Sequence, residues 1–331
     1  MGIQSAIMKA SFRSELTFNF LNFVLRIVAK RINNKLKDNV DVVEILMRNG
    51  LKTVNPCFFS DKTNIIKVRD CMRGDDISML KVGRIDKYQI ELFKLAKEIE
   101  KRLFFHVPSI TKNEVDWFIM EEIKGKFLND LYDQDPDKCV KICKKISDNY
   151  QILLDEFRKR NKIKKSLRSC ERWLFSTLNL WSKPIIDAGL IDLSLVQKIE
   201  SDFREIIARK GIGFFDWVHG NIIGDHIIID PNGDFYLLDL AMNLRPGNGY
   251  YDFLRSLDFM LLKANGNLSG NIERWMKEYL SDFNEEEVKL VFAFQCIGIL
   301  GWDILHHNVE YVAGNKKEKI QSFLKFIRRE Y

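Results

Sequence analysis

Six cysteines in 331 residues, at positions 57, 71, 139, 143, 170 and 296, form no Cys-x-x-Cys pair. The five histidines do not cluster with them. That spacing argues against a structural zinc site. Free thiols suit a reducing compartment, so a cytoplasmic location is expected. The N-terminal part lacks a long apolar run. The early stretch Leu16–Ala29 is broken by Asn19, Asn22 and Arg26 and has no small-residue cleavage site. It therefore reads neither as a secretory signal nor as a membrane span. Net charge is only +6. Residues 1–40 carry seven basic side chains against Glu15 and Asp38, a local +5. The remainder is nearly neutral, which argues against a general nucleic-acid-binding role. There is no internal repeat and no low-complexity tract.

What is present is an ordinary globular composition, 46% apolar and 30% charged, on a chain long enough for one large or two medium domains. Residues 14–37 read as a basic amphipathic helix, with Phe20, Phe23, Val24, Ile27 and Val28 on one stripe. Such a helix either packs on its own domain or makes peripheral contact with an anionic membrane. A second helix over Val42–Arg48 ends at Asn49-Gly50. Asn55–Phe59, Asn64–Arg69 and Ile77–Val82 read as three antiparallel strands. An amphipathic helix follows over Lys87–Phe104, then strands near Ser109–Thr111 and Trp117–Glu121.

Beyond Phe127 the pattern is helical: Pro136–Lys159, Leu167–Leu180, Leu193–Lys210, Gly249–Lys263, Ile272–Leu280, Glu285–Leu305 and Lys316–Arg329. The fold class expected is α+β and bilobal. A basic helical extension (1–48) precedes a small antiparallel β lobe (49–125) and a larger, mainly helical lobe (126–331). Clefts between lobes are where small-molecule sites tend to form.

One β-rich stretch interrupts the helices. Trp217–Leu240 reads WVHGNIIGDHIIIDPNGDFYLLDL, with Asn232-Gly233 between two apolar runs, a strong hairpin signal. With those two residues as the turn, counting outward places His226 directly opposite Asp239, and opposed side chains share a face. A nitrogen ligand and a carboxylate would then lie together, beside a loop carrying His219 and Asn221. Either this is a metal and phosphate site, or it is an ordinary hairpin with polar ends.

Taken in order over roughly residues 42–300, these segments resemble the aminoglycoside phosphotransferase and choline kinase family, which has the protein-kinase-like fold. The segment His219-Gly220-Asn221-Ile222-Ile223-Gly224-Asp225-His226 is similar to the family's His-Gly-Asp-x-x-x-x-Asn, and Asp239 ends the hairpin as the family's metal-binding Asp does. Met79-Leu80-Lys81-Val82 resembles the strand that carries the phosphate-binding lysine. Glu91, or less well Glu98, resembles its ion-pair partner. Met120-Glu121-Glu122-Ile123-Lys124-Gly125 resembles the interlobe hinge, where backbone groups of Glu121 and Ile123 would meet adenine. Ser60–Asn64, with Ser60 and Thr63, sits where the family's nucleotide-covering loop lies. The segment from Gly249 to Leu254 resembles a structural Asp segment, with Asp252 as a hydrogen-bond acceptor.

The resemblance implies ATP, or another nucleoside triphosphate, and Mg²⁺ as cofactors. It implies transfer of the γ-phosphate in the interlobe cleft to a hydroxyl of a small-molecule acceptor. Asp239 and His226 would be the metal residues, and His219 would fix the loop. Two departures stand out. His226 replaces the family's metal-binding Asn, as in relatives that resemble macrolide kinases; imidazole suits Mn²⁺ better than Mg²⁺. Asn221 replaces the catalytic Asp, and an amide cannot accept a proton at neutral pH. Asp225 either supplies a carboxylate or simply forms a turn after Gly224.

Three functions follow. One is an ATP-dependent phosphotransferase. The second is a degenerate nucleotide-binding protein with weak or no catalysis. The third is a membrane-surface kinase of a lipid-linked sugar. Residues 251–331 hold 12 acidic and 11 basic side chains, so the helical lobe lacks the acidic bias that a polycationic acceptor would require. No sequence feature assigns an oligomeric state.

Overall fold

The computed structural model describes residues 48–49, 51–53, 65–70, 77–82, 85, 88–114, 117–132, 134–247, 249–258, 271–280, 284–307 and 317–331. The basic helix expected over 14–37, the strand expected over Asn55–Phe59, and both Ser60 and Thr63 lie outside them. The chain has a bilobal α+β fold and divides into two compact units. One comprises Met1–Lys97 and Val107–Lys124, the other Glu98–His106 and Gly125–Tyr331.

The first unit is built on a five-stranded antiparallel sheet. Its strands are β1 (Leu51–Thr53), β2 (Ile65–Asp70), β3 (Ile77–Val82), β4 (Ile110–Asn113) and β5 (Trp117–Glu121), in the order β1-β2-β3-β5-β4. Val68, Leu80 and Phe118 are fully buried, while Lys81 is only half-buried. Lys81 pairs with Ile65 on one side and Phe118 on the other. Helix α1 (Gln89–Glu98) covers the sheet with Leu92, Phe93, Leu95 and Ala96, and the Phe93 ring lies 5.8 Å from that of Phe118. The helix is shorter than the expected Lys87–Phe104. The cause is a competing pairing: His106 N–H donates to Phe235 O at 2.7 Å and His106 O accepts from Leu237 N at 2.9 Å. That draws the chain after Arg102 into extended backbone.

In the second unit β6 (Lys126–Phe127) is followed by α2 (Pro136–Asn161), α3 (Leu167–Asp187) and α4 (Leu193–Lys210). Asp135 caps α2, accepting from Lys138 N at 3.0 Å, with Pro136 at the first helical position, a favoured start. Helix α3 runs past its expected end at Leu180 and through Pro184. Proline removes the hydrogen bond to the carbonyl four residues back, but Leu180 is 60% exposed, where water can solvate that carbonyl. After α4 come β7 (Phe215–Val218), β8 (Ile227–Ile229), β9 (Phe235–Leu237) and β10 (Asn243–Pro246). The last described helices are α5 (Tyr251–Ser256), α6 (Asn271–Tyr279), α7 (Glu285–His307) and α8 (Lys317–Glu330).

Helix α7 is the centre of this core. By length and composition its Glu285–Leu305 stretch is apolar enough to cross a membrane, yet 78% of that apolar window is buried within the protein. Phe292, Phe294 and Cys296 are all inaccessible. It packs as a core helix. The four described cysteines, 139, 143, 170 and 296, are buried free thiols.

Candidate functional site: two facing connectors

The site comes from how four short strands pair. β7 pairs with β10, and β8 pairs with β9. The connector from β7 to β8 is residues 219–226, and the connector from β9 to β10 is residues 238–242. Antiparallel pairing at both ends forces the two connectors alongside each other. β7 and β10 were not anticipated from the sequence. Each is four residues long and bounded by the motif itself, and proline ends β10.

The hairpin register differs from the expected one. Ile227 faces Leu237, Ile228 faces Tyr236 and Ile229 faces Phe235, so His226 stands against Leu238 rather than Asp239. The turn has three residues, Pro231-Asn232-Gly233, not two. The Asp230 carboxylate explains the shift: Oδ1 accepts from Asn232 N and from Asp234 N, both at 2.8 Å. Gly233 closes the loop with φ +92°, a left-handed position that suits glycine. A one-residue slip moves every strand side chain to the other face, so the strand count does not bring His226 and Asp239 together.

His219 links the two connectors instead. This buried side chain sends Nε2 to the backbone carbonyl of Asp239 at 2.7 Å, and its Nδ1 accepts from Asn221 N at 3.2 Å. These partners fix the tautomer: Nε2 carries the proton and Nδ1 accepts. His226 takes the opposite one. Its Nδ1 donates to Asn221 O at 3.1 Å, because a carbonyl only accepts. The two rings are 6.3 Å apart. Asp239 is half-buried.

Around this pair the loop is fastened at several points. Asp252, fully buried in α5, accepts from His219 N at 2.8 Å and Gly220 N at 2.6 Å. Burial pushes its pKa up to about 6, against the pull of the backbone N–H groups and of Arg245. Asn243 donates to His219 O at 2.6 Å. Tyr150 of α2 both donates to Ala241 O at 2.8 Å and accepts from Ala241 N at 3.0 Å, and its ring meets His219 edge-on at 5.1 Å. Asn221 Oδ1 accepts from Arg255 Nε at 3.1 Å, and Arg255 is ion-paired with Asp258. Arg245 is occupied elsewhere, 4.1 Å over the Trp173 ring and bonded to Asn243.

Of the expected site residues, His219, Asn221, His226 and Asp239 fall in one loop cluster. Asp225 is exposed and hydrogen-bonded to the Asn129 amide. In the first unit Lys81 Nζ lies 5.8 Å from the Phe118 ring centroid, and Glu91 is exposed in the first turn of α1. Glu98, the other candidate partner for Lys81, pairs with Arg160 at 2.8 Å. Glu121 N–H donates to Ser109 O at 2.9 Å, while Ile123 follows in the connector beyond β5. Arg255, Tyr150, Asn243 and Asn129 were not singled out from the sequence. Arg255 alone carried a usable signal, lying three residues after Asp252 and so on the same helix face.

No protein-family model matches the chain, and no curated protein does. Solved structures do. Plasmodium vivax ethanolamine kinase Pv091845 superposes with a TM-score of 0.54 at 16% identity, over 97% of this chain and 92% of that one. LicA in complex with AMP gives 0.51 at 13% identity, over 92% and 99%. Macrolide 2'-phosphotransferase type I gives 0.50 at 11% identity, over 85% and 97%. The chain has the kinase-like fold of these structures. In that kinase-like fold the resemblance placed the His-Gly-Asn loop before a hairpin and an Asp after it, and the structure has both elements in that order.

Proposed function

We propose that the chain is a nucleotide- and metal-dependent phosphotransferase acting on a hydroxyl of a small molecule. The supporting observation is the junction of the two connectors, where His219 ties the Asp239 backbone to the loop and His226 bonds the carbonyl of Asn221. A carboxylate and an imidazole, as Asp239 and His226 carry, are donor types that a divalent ion takes. Among the described residues no group of three or more His, Cys, Asp or Glu side chains is placed to hold a metal. A Mg²⁺ that takes one or two protein ligands and completes its shell with phosphate oxygens and water needs none. Asp239 and His226 would hold the ion, with Mn²⁺ favoured by the imidazole. The ion would neutralise charge on the transferred phosphoryl group. Lys81 would hold phosphates of ATP, and the backbone near Ile123 would meet the base. AMP is named in the LicA complex, in keeping with a nucleotide ligand. The cytoplasmic location belongs to the same proposal.

A second reading, nucleotide binding without efficient turnover, rests on one observation. Asn221 stands where the resemblance has a base, and its amide is clamped by Arg255. Incubating the full chain with ATP, Mg²⁺ or Mn²⁺ and a panel of hydroxyl acceptors decides between the two. Acceptor-dependent ADP formation supports the phosphotransferase. Tight ATP binding without metal-dependent turnover on any acceptor supports the second.

A further inference from the structure

Asn221 has no assigned part in the reaction proposed above, and three contacts define what it can do. Its N–H donates to His219 Nδ1 at 3.2 Å. Its carbonyl accepts from His226 Nδ1 at 3.1 Å. Its side-chain Oδ1 accepts from Arg255 Nε at 3.1 Å. Arginine has donors and no acceptor. The atom of the carboxamide facing it is therefore the oxygen, and the two amide orientations are not equivalent here. Both acceptors of Asn221 are thus engaged from within the protein. The Nδ2 group, with its two N–H bonds, occupies the other branch of the amide. The residue is half-buried, so this donor is not sealed in the core. Arg255 is itself fixed by Asp258, with 21% of its side chain accessible.

Resting on the phosphotransferase reading, we propose that Asn221 is a hydrogen-bond donor to an oxygen of the transferred phosphoryl group, and that Arg255 is the positioning residue that holds it there. In the transfer, the bond from the γ-phosphorus to the bridging oxygen breaks and the diphosphate leaves with its electron pair. A bond from the acceptor oxygen forms, and the acceptor's proton passes to water. No base at position 221 is required. A fixed neutral donor stabilises charge on phosphoryl oxygens, and positioning with electrostatics carries most of phosphoryl transfer. A carboxylate in the same place would be claimed by Arg255 and would repel the phosphoryl oxygens.

The test uses full-length protein labelled with ¹⁵N at asparagine, with ADP, Mg²⁺ and aluminium fluoride as the probe. The Asn221 side-chain amide is identified by its absence from the spectrum of Asn221→Asp. One Nδ2 proton is expected to shift downfield when aluminium fluoride joins bound ADP. Hydrolysis of ATP with water as acceptor is expected to fall on the order of a hundred- to a thousand-fold in Asn221→Asp. Arg255→Lys keeps a positive charge beside Asp258. It is expected to loosen the Asn221 amide in ¹⁵N relaxation and to slow hydrolysis, with the rest of the spectrum unchanged. An Asn221 amide that ignores aluminium fluoride while other resonances respond overturns the proposal, and so does faster hydrolysis by Asn221→Asp. If neither ADP nor ATP perturbs any resonance, the nucleotide reading fails first and the proposal falls with it.

Discussion

His219 Nε2 donates to the backbone carbonyl of Asp239 at 2.7 Å, across 20 residues of sequence. This bond locks two connectors whose flanking strands already pair. It fixes where the Asp239 backbone sits before any ligand arrives, the kind of preorganisation that makes a charged site effective.

Tyr150 is the support beneath the second connector. Tyr150→Phe keeps the ring against His219 but removes both hydrogen bonds to Ala241. A partly buried N–H and C=O lose their partner, which costs about 1–3 kcal/mol. Thermal unfolding should show that loss. Titration with Mn²⁺ and ATP should show weaker metal binding, because the chain two residues beyond Asp239 is no longer held.

Asp252 makes stability depend on pH in a stated direction. Its folded pKa of about 6 lies above its ordinary 3.8, so the folded chain binds the proton more tightly than the unfolded chain. The linked stability is present below the unfolded value and is lost as pH rises through about 6. Asp252→Asn has no such linkage. The stability of wild type relative to Asp252→Asn should therefore grow as pH falls from about 8 to about 4.5, by roughly 2 kcal/mol. Denaturant midpoints at each pH measure it; a difference that shrinks toward acid would contradict the assignment.

Gly224 is where the loop presses on Asn129. A Cβ there would lie 2.0 Å from Asn129 Oδ1 and 2.9 Å from its backbone N. Gly224→Ala must displace the Asn129 segment and with it the Asn129–Asp225 hydrogen bond. Overpacking of this kind costs typically ~1–3 kcal/mol. The double variant Gly224→Ala with Asn129→Gly, which removes the nearest side-chain atoms, should recover part of the loss in a thermal melt.

Ile77–Val82, Trp117–Glu121 and Leu193–Lys210 have the expected bounds, and the role expected for Asp252, an acceptor holding the loop, is what it does. Asn-Gly misled because the preceding Asp-Pro competed for the turn. A side-chain carboxylate that caps two backbone N–H groups outweighs a dipeptide preference. Helix α1 was overextended because strand pairing of His106 with β9 is a tertiary effect that no local pattern carries. The clamp on Asn221 was illegible for a similar reason: Arg255 lies 34 residues away, and only the fold joins them.

On the reading proposed above, the junction of the two connectors is a metal and phosphate site. Calorimetric titration of Mn²⁺ into ATP-saturated protein tests it most directly, comparing wild type with Asp239→Ala, whose backbone carbonyl still accepts from His219. Wild type is expected to bind one ion. Asp239→Ala is expected to lose that binding by at least about 10-fold with an unchanged melting profile. Equal Mn²⁺ affinity in the two proteins would contradict it.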